Sequence, residues 1–294
     1  MILVTGATGF VGSHLVKGLV EAGHSVKALS RDVASAARVK GPGVTVAVGD
    51  VSDIESLTRA AEGCDTVIHL VGIIQEGPGF TFESVHVQGT GNMIEAAKRA
   101  GGVKHFIYQS ALGTTAAGKT GYYRTKWAAE EMTRASGLNY SITRPSIIYG
   151  RGDGFTRKLI DVIKLSPVMP VMGNGRVKMQ PLFIGDLVKA LVKISGNPDW
   201  FGKTLELGGP EQMPLDRIVD EIMDALGRRR PTVHMPIALM RPAAFLMERV
   251  MSTPPITNGQ LTMLEEDNVC SLDDLRALGV EPVRFHDGLR TFLP

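Results

Sequence analysis

Thr5-Gly6-Ala7-Thr8-Gly9-Phe10-Val11-Gly12 is the stretch on which the reading of this sequence turns. The apolar run Met1-Ile2-Leu3-Val4-Thr5 enters it as a strand, and Gly12 to Ala22 leaves it as a helix that stops at Gly23-His24. Between them glycine recurs at every third position. Gly6 permits a tight turn, Gly9 lets backbone approach an anion, and Gly12 lets the helix pack closely on the strand. The first turn of the helix adds free N–H groups and the positive end of the dipole, a donor set suited to the pyrophosphate of a dinucleotide. A glycine motif alone says little; its place between a strand and a helix gives it meaning. Thr8, Phe10 and Val11 share the loop and are expected at the same ligand.

The alternation continues outward. Strands are predicted at Ser25–Leu29, Val44–Val48, Thr66–Leu70, Lys104–Gln109 and Ser141–Thr143, with helices near Ile54–Ala61, Phe82–Ala100 and Tyr123–Ser136. Short apolar runs separated by helices indicate a parallel sheet covered on both faces, an α/β doubly wound fold of Rossmann type. Glycine follows the same division: 23 of 34 lie in residues 1–154. The expectation is a dinucleotide-binding domain over 1–150 and a smaller C-terminal α/β lobe over 151–294 for substrate or partner, its chain free to cross back. Within that lobe Met235–Met251 is apolar and rich in methionine, but Arg241, Pro242 and Glu248 interrupt it, so it is too broken to span a bilayer. It reads first as a buried amphipathic helix; a partner-docking helix or a membrane-surface contact through 235–263 is the alternative. Arg228-Arg229-Arg230 reads as a solvated helix end.

Composition narrows the function. Thirty-two basic residues against 30 acidic give a net charge of +2, without the footprint of a dedicated nucleic-acid binder. Two cysteines, Cys64 and Cys270, make no disulfide framework, and the seven histidines show no metal-ligand spacing. No signal or transit segment is recognised, so a cytoplasmic protein is expected.

Further motifs stand along the chain: Gly49-Asp50-Val51 after the third strand, Tyr122-Tyr123-Arg124-Thr125-Lys126, and Arg144-Pro145-Ser146-Ile147-Ile148-Tyr149-Gly150. With the GxxGxxG loop they resemble the extended short-chain dehydrogenase/reductase superfamily, whose members include epimerase- and dehydratase-like proteins. The resemblance implies that Asp50 and Val51 meet the adenine, that Leu70, Val71 and Gly72 follow the fourth strand along the cofactor, and that Pro145, Ser146 and Ile147 border the nicotinamide. It also implies hydride transfer on a carbonyl or alcohol of an unidentified small molecule. Tyr122 would be the acid/base; Lys126, four residues on and on the same helix face, would bond the nicotinamide ribose and lower the phenol pKa.

Ser30 stands where an NAD-preferring protein carries an acidic residue for the ribose 2′-hydroxyl, and Arg31 follows it. That pair would suit a 2′-phosphate, so NADP(H) is expected and NAD is the lesser choice, although Asp32 pulls the other way. Two catalytic positions depart from the family. Its Ser falls at Ala111, with Ser110 able to serve only through a one-residue shift, and its Asn falls at His86. An intact glycine loop and YxxxK with those departures resembles an atypical subgroup, which includes the nucleotide-binding accessory subunit of respiratory complex I and its bacterial relatives. A non-catalytic dinucleotide-binding scaffold with a protein partner is therefore the alternative function, and a bacterial source is expected.

Overall fold

Every strand of the first 150 residues feeds a parallel neighbour. In order the chain forms β1 (Ile2–Thr5), α1 (Phe10–Glu21), β2 (Val26–Ser30), α2 (Val33–Ala36), β3 (Val44–Val48), α3 (Ile54–Ala61), β4 (Thr66–His69), α4 (Gly89–Ala100), β5 (His105–Gln109), α5 (Gly121–Arg134) and β6 (Tyr140–Pro145). The structure, a computed structural model, describes residues 1–293. Across the sheet the order is β6-β5-β4-β1-β2-β3, with strand Lys203–Leu207 added beside β6. This is the doubly wound order, and its direction reverses at β1, which pairs with β2 on one side and β4 on the other. The crevice at the carboxyl ends of β1 and β4 is thus where such a sheet takes a ligand.

The chain forms two compact units, Met1–Arg144 with Leu187–Leu205, and Pro145–Asp186 with Glu206–Pro294. In the first unit all four residues of β1 and of β4 are buried, as expected for strands covered on both faces. Leu57 and Ala60 of α3, Met93 and Ala97 of α4 and Ala129 of α5 share one core with Leu3, Val67, Phe106 and Ile142. On α1, Leu15, Val16 and Leu19 are buried.

One element differs from its prediction. The helix expected over Phe82–Ala100 opens with a π-helical turn, Glu83–Gln88, before α4 begins. The wider turn carries the buried His86, whose two ring nitrogens are bonded to residues of other segments.

Three helices of the second unit share one core. Ile160 and Ile163 of Gly154–Leu165, Ile218, Val219 and Ile222 of Leu215–Ala225, and Phe285 and Leu289 of Phe285–Arg290 form its core. Helix Ile237–Val250 departs from the buried amphipathic helix expected there: Ala244 alone is buried. Its polar Arg241 and Glu248 are bonded to residues 258–265, which turns its leucines outward. The arginine triplet is tied down, Arg229 to Asp224, Arg228 to the Lys164 carbonyl and Arg230 to the Ile163 carbonyl.

Candidate dinucleotide and hydride-transfer site

Gly6 has φ +70°, a left-handed conformation that side chains disfavour, and a Cβ there would lie 3.3 Å from backbone atoms of Leu70 and Val71. The loop after β1 is therefore pressed against the loop after β4. A Cβ at Gly12 would collide with the Gly6 carbonyl oxygen and come within 2.7 Å of the Ala7 Cα. Gly9 supplies the extended N-cap of α1 and donates its N–H to the Gly6 oxygen at 3.0 Å. No side chain caps α1 and no acid stands in its first turn, whereas Asp32, Asp53 and Thr120 cap α2, α3 and α5. The opening N–H groups, those of Phe10, Val11 and Gly12, are left to an anion, and half-buried Thr8 lies in the same loop. This donor set fits a pyrophosphate.

At the end of β3, Asp50 accepts from the N–H and hydroxyl of Ser52 at 2.9 and 2.6 Å. Burial pushes its carboxyl up, but the Ser52 bonds and the charge of Arg31 outweigh this and hold it below the usual range. Val51 follows it, half-buried, with its carbonyl bonded to Asn92 at 2.8 Å.

Tyr122 and Lys126 lie on one face of α5. The rings of Phe82, His86 and Tyr123 stand edge-on to Tyr122, with centroids at 5.9, 5.5 and 5.5 Å. Burial, with a smaller contribution from Tyr123, pushes the phenol above its ordinary value. Lys126 is only 4% exposed. Its ammonium donates to the Gln109 carbonyl at 2.9 Å and sits 5.0 Å from the centre of the Tyr108 ring. Burial draws its pKa down to about 8, against the pull of Glu130. A Cβ at Gly72 would come within 3.0 Å of that ammonium, so the backbone after β4 runs close beside it. The lowering of the phenol pKa expected from Lys126 is not what the protein's own groups produce, because Tyr122 is dominated by burial.

His86 holds the position of the family's Asn. Its Nε2 accepts the Ile73 N–H at 3.1 Å, so Nδ1 carries the proton and donates to Thr125 Oγ1 at 2.9 Å. Burial, followed by the Lys126 charge, lowers its pKa to about 3, and the ring is a neutral strut between Ile73 and α5. The Ser110 hydroxyl is buried 3.3 Å from Thr114 Oγ1 and helps hold the Glu130 carboxylate. Ala111 brings no hydroxyl. Glu130, which sequence reading passes over, is fully buried and is clamped by Arg144 Nε and NH2 at 2.8 and 2.7 Å and by Arg134 at 2.7 Å. Its signal was available in the four-residue step from Lys126.

Residues 6–161 match the family described as NAD(P)H-binding. The chain belongs to this family. It is a Rossmann-fold member of the extended short-chain dehydrogenase/reductase, epimerase/dehydratase-like superfamily, homologous to the complex I accessory subunits. It is 28% identical to NADH dehydrogenase [ubiquinone] 1 alpha subcomplex subunit 9, mitochondrial, of Arabidopsis thaliana, over 92% of this chain and 70% of that one. It is 33% identical to ceramide reductase of Caulobacter vibrioides, over 67% and 62%.

The expectation that NAD is the lesser cofactor is corrected. Of seven solved structures of this fold named for a nicotinamide cofactor, at 18 to 23% identity, five hold NAD and two are NADPH-dependent. One with NAD is dTDP-glucose 4,6-dehydratase of Bacillus anthracis (18% identity, 99% of this chain and 94% of that one, TM-score 0.76). The geometry at β2 shows why the Ser30–Arg31 argument fails. Ser30 is the last residue of the strand, is buried, and donates its hydroxyl proton to the Asp32 carbonyl at 2.8 Å. Arg31 acts on the carboxylates of both Asp32 and Asp50, which offset the positive field a 2′-phosphate would need.

Pro145, Ser146 and Ile147 belong to the second unit. There the Ser146 N–H donates to the Leu207 carbonyl at 2.8 Å and its hydroxyl to Asn268 Oδ1 at 2.7 Å, while the Ile147 carbonyl accepts from Leu182 at 2.8 Å. The segment after β6 is thus fixed from both of its neighbours.

Proposed function

We propose that the chain is a nicotinamide-dinucleotide-dependent oxidoreductase acting on a carbonyl or secondary alcohol. The observation that carries this reading is the placement of Tyr122 and an almost wholly buried ammonium, Lys126, on one helix face, with the backbone at Gly72 close beside that ammonium. The dinucleotide supplies or accepts the hydride. The glycine loop and the amides of α1 hold its phosphates, with Asp50 and Val51 at the adenine end and Leu70, Val71 and Gly72 along its length. Tyr122, a phenol protonated at neutral pH and pushed further up by burial, donates the proton that a reduced carbonyl oxygen requires, and returns to the phenol form from solvent. Lys126, still mostly charged at pH 7, holds the ribose hydroxyls and stabilises negative charge on the phenol oxygen as the proton leaves. The cytoplasm remains the expected compartment.

A second reading, a non-catalytic dinucleotide-binding scaffold within a protein assembly, is favoured by Ser110. Its hydroxyl donates to Thr114 Oγ1, and Ala111 offers none, so the substrate oxygen lacks its second donor. The homology to a complex I subunit over 92% of this chain points the same way. The purified protein is assayed for bound nucleotide by mass spectrometry, then for oxidation of NADH and of NADPH with a carbonyl panel that includes keto-ceramides. Turnover in the wild type, lost in Tyr122→Phe with nucleotide retained, supports the oxidoreductase. Turnover that survives Tyr122→Phe refutes the role of Tyr122, and bound nucleotide with no turnover across the panel favours the scaffold.

A further inference from the structure

Helix Ile237–Val250 has its amphipathicity reversed. Arg241, Ala244 and Glu248, spaced i, i+3 and i+7, face the protein: Arg241 donates to Glu265 Oε2 at 2.8 Å, Ala244 is buried, and Glu248 accepts from the Asn258 N–H and Nδ2 at 2.8 and 3.0 Å. The opposite stripe, Leu239, Ala243, Leu246 and Val250, carries no charge and faces out, with Leu239 and Val250 76% and Leu246 62% exposed. Met251 and Phe245 extend it. Strand Thr232–Met235 runs into this helix, adding exposed Val233 and Met235, and pairs with Met169–Met172, which follows Leu165 at 86% exposure.

Carboxylates pair with two of the arginines around this surface, Arg229 with Asp224 and Arg241 with Glu265. Between Arg228 and Met251 five arginines stand against one carboxylate, Glu248, which is exposed and bonded to Asn258. Arg228 and Arg230 donate to backbone carbonyls beside Leu165, so their charge is not neutralised there by a carboxylate. Arg249 lies 4.3 Å over the Phe245 ring at the margin of the stripe. An exposed apolar stripe with arginine beside it asks for a partner that is apolar beneath and anionic at its edge. No helix among the described residues is long and apolar enough to cross a membrane.

The geometry points to docking of helix Ile237–Val250 on the surface of a bilayer containing anionic phospholipid, with Leu239, Leu246, Phe245 and Val250 in the acyl boundary and Arg228, Arg230 and Arg249 at the phosphates. This inference is independent of whether the dinucleotide site turns over, and it is tested without nucleotide. The full chain is sedimented with vesicles of phosphatidylcholine alone and of phosphatidylcholine containing a minority of phosphatidylglycerol. Binding is expected to the mixed vesicles, to weaken with added salt, and to fall about tenfold or more in Leu246→Glu/Val250→Glu. Arg228→Gln/Arg230→Gln should lose the preference for anionic lipid. Hydrogen exchange on the wild type with mixed vesicles should protect residues 237–251, a readout that needs no variant. Absence of binding to mixed vesicles, an unaffected stripe variant, or protection elsewhere overturns the proposal. So does concentration-dependent self-association without lipid binding that the stripe variant abolishes, since a second copy would then cover the helix.

Discussion

Replacing Lys126 with methionine should stabilise the first unit at neutral pH relative to its stability in alkali, and the size of the effect follows from the site. The ammonium is 4% exposed and burial lowers its pKa from 10.5 to about 8. A depression of that size means that the folded state disfavours the charged form by about 3 kcal/mol relative to the unfolded chain. Below pH 8 both states hold the proton and the penalty is complete. Between pH 8 and 10.5 the unfolded chain binds more protons than the folded one, so wild-type stability rises with pH. Lys126→Met removes this titration. It also leaves the Gln109 carbonyl without its donor, at about 1–3 kcal/mol, so the absolute change at pH 7 is small while the change with pH is not. The stability of the wild type minus that of the variant should therefore climb by about 2–3 kcal/mol from pH 7 to pH 10. The window stops at 10 because Tyr108 and Tyr122 of the same unit are pushed upward by burial and would oppose the trend above it. Both tryptophans, Trp127 and Trp200, lie in the first unit, so urea unfolding followed by their fluorescence reads that unit alone. Parallel pH profiles for the two proteins would refute the buried-cation argument.

Three other outcomes are expected. Gly12→Ala places a methyl against the Gly6 carbonyl, and an overpacking cost of about 1–3 kcal/mol should weaken NADH and NADPH binding together by about 10- to 100-fold in calorimetry; affinities within threefold of wild type would contradict the cradle. Glu130→Gln strands Arg144 and Arg134, and because both guanidinia retain some solvent the loss should sit near the lower end of the range for a broken buried pair, about 3 kcal/mol by urea unfolding; a loss below about 1 kcal/mol would show the clamp to be dispensable. His69, His86 and His105 are buried and neutral, with pKa values lowered to about 3, 3 and 4, chiefly by burial. As pH falls below 6.5 the unfolded chain takes up three protons that the folded one refuses, so stability should drop by up to about 4 kcal/mol per pH unit between pH 6 and 4. A flat urea midpoint from pH 7 to 5 would refute this, and His105→Gln should remove about a third of the slope.

How much of this was legible in the sequence depends on how far each cause reaches along the chain. The glycine loop was legible because its constraints are local: the φ of Gly6 and the approach of Gly12 to Gly6 lie within seven residues. The Tyr122–Lys126 face was legible because helical periodicity is a local rule. The Glu130 clamp was not, because one of its partners, Arg144, stands 14 residues away on another element. The cofactor argument at Ser30 miscarried for a related reason. Residue type announces a hydroxyl, but the backbone after β2 curls so that the Asp32 carbonyl claims its proton. Helix Ile237–Val250 was legible as apolar but not as outward-facing, since composition does not say which stripe meets the core. Arg241 and Glu248 settle that only through their partners at 258–265.

The energetics of Lys126 also separate the two functional readings. A scaffold needs dinucleotide affinity, and the glycine loop with the uncapped amides of α1 provides it without a buried charge. An ammonium held in the protein at about 3 kcal/mol of disadvantage is offset only in part by its bond to the Gln109 carbonyl, and such a cost is characteristic of positions retained for chemistry. Lys126→Met should then lose turnover by far more than it loses nucleotide: a fall in kcat of about a thousandfold or more against a fall in affinity of about tenfold. If affinity and any turnover fell by the same modest factor, Lys126 would be a ribose contact alone, and the protein would hold its dinucleotide without using it.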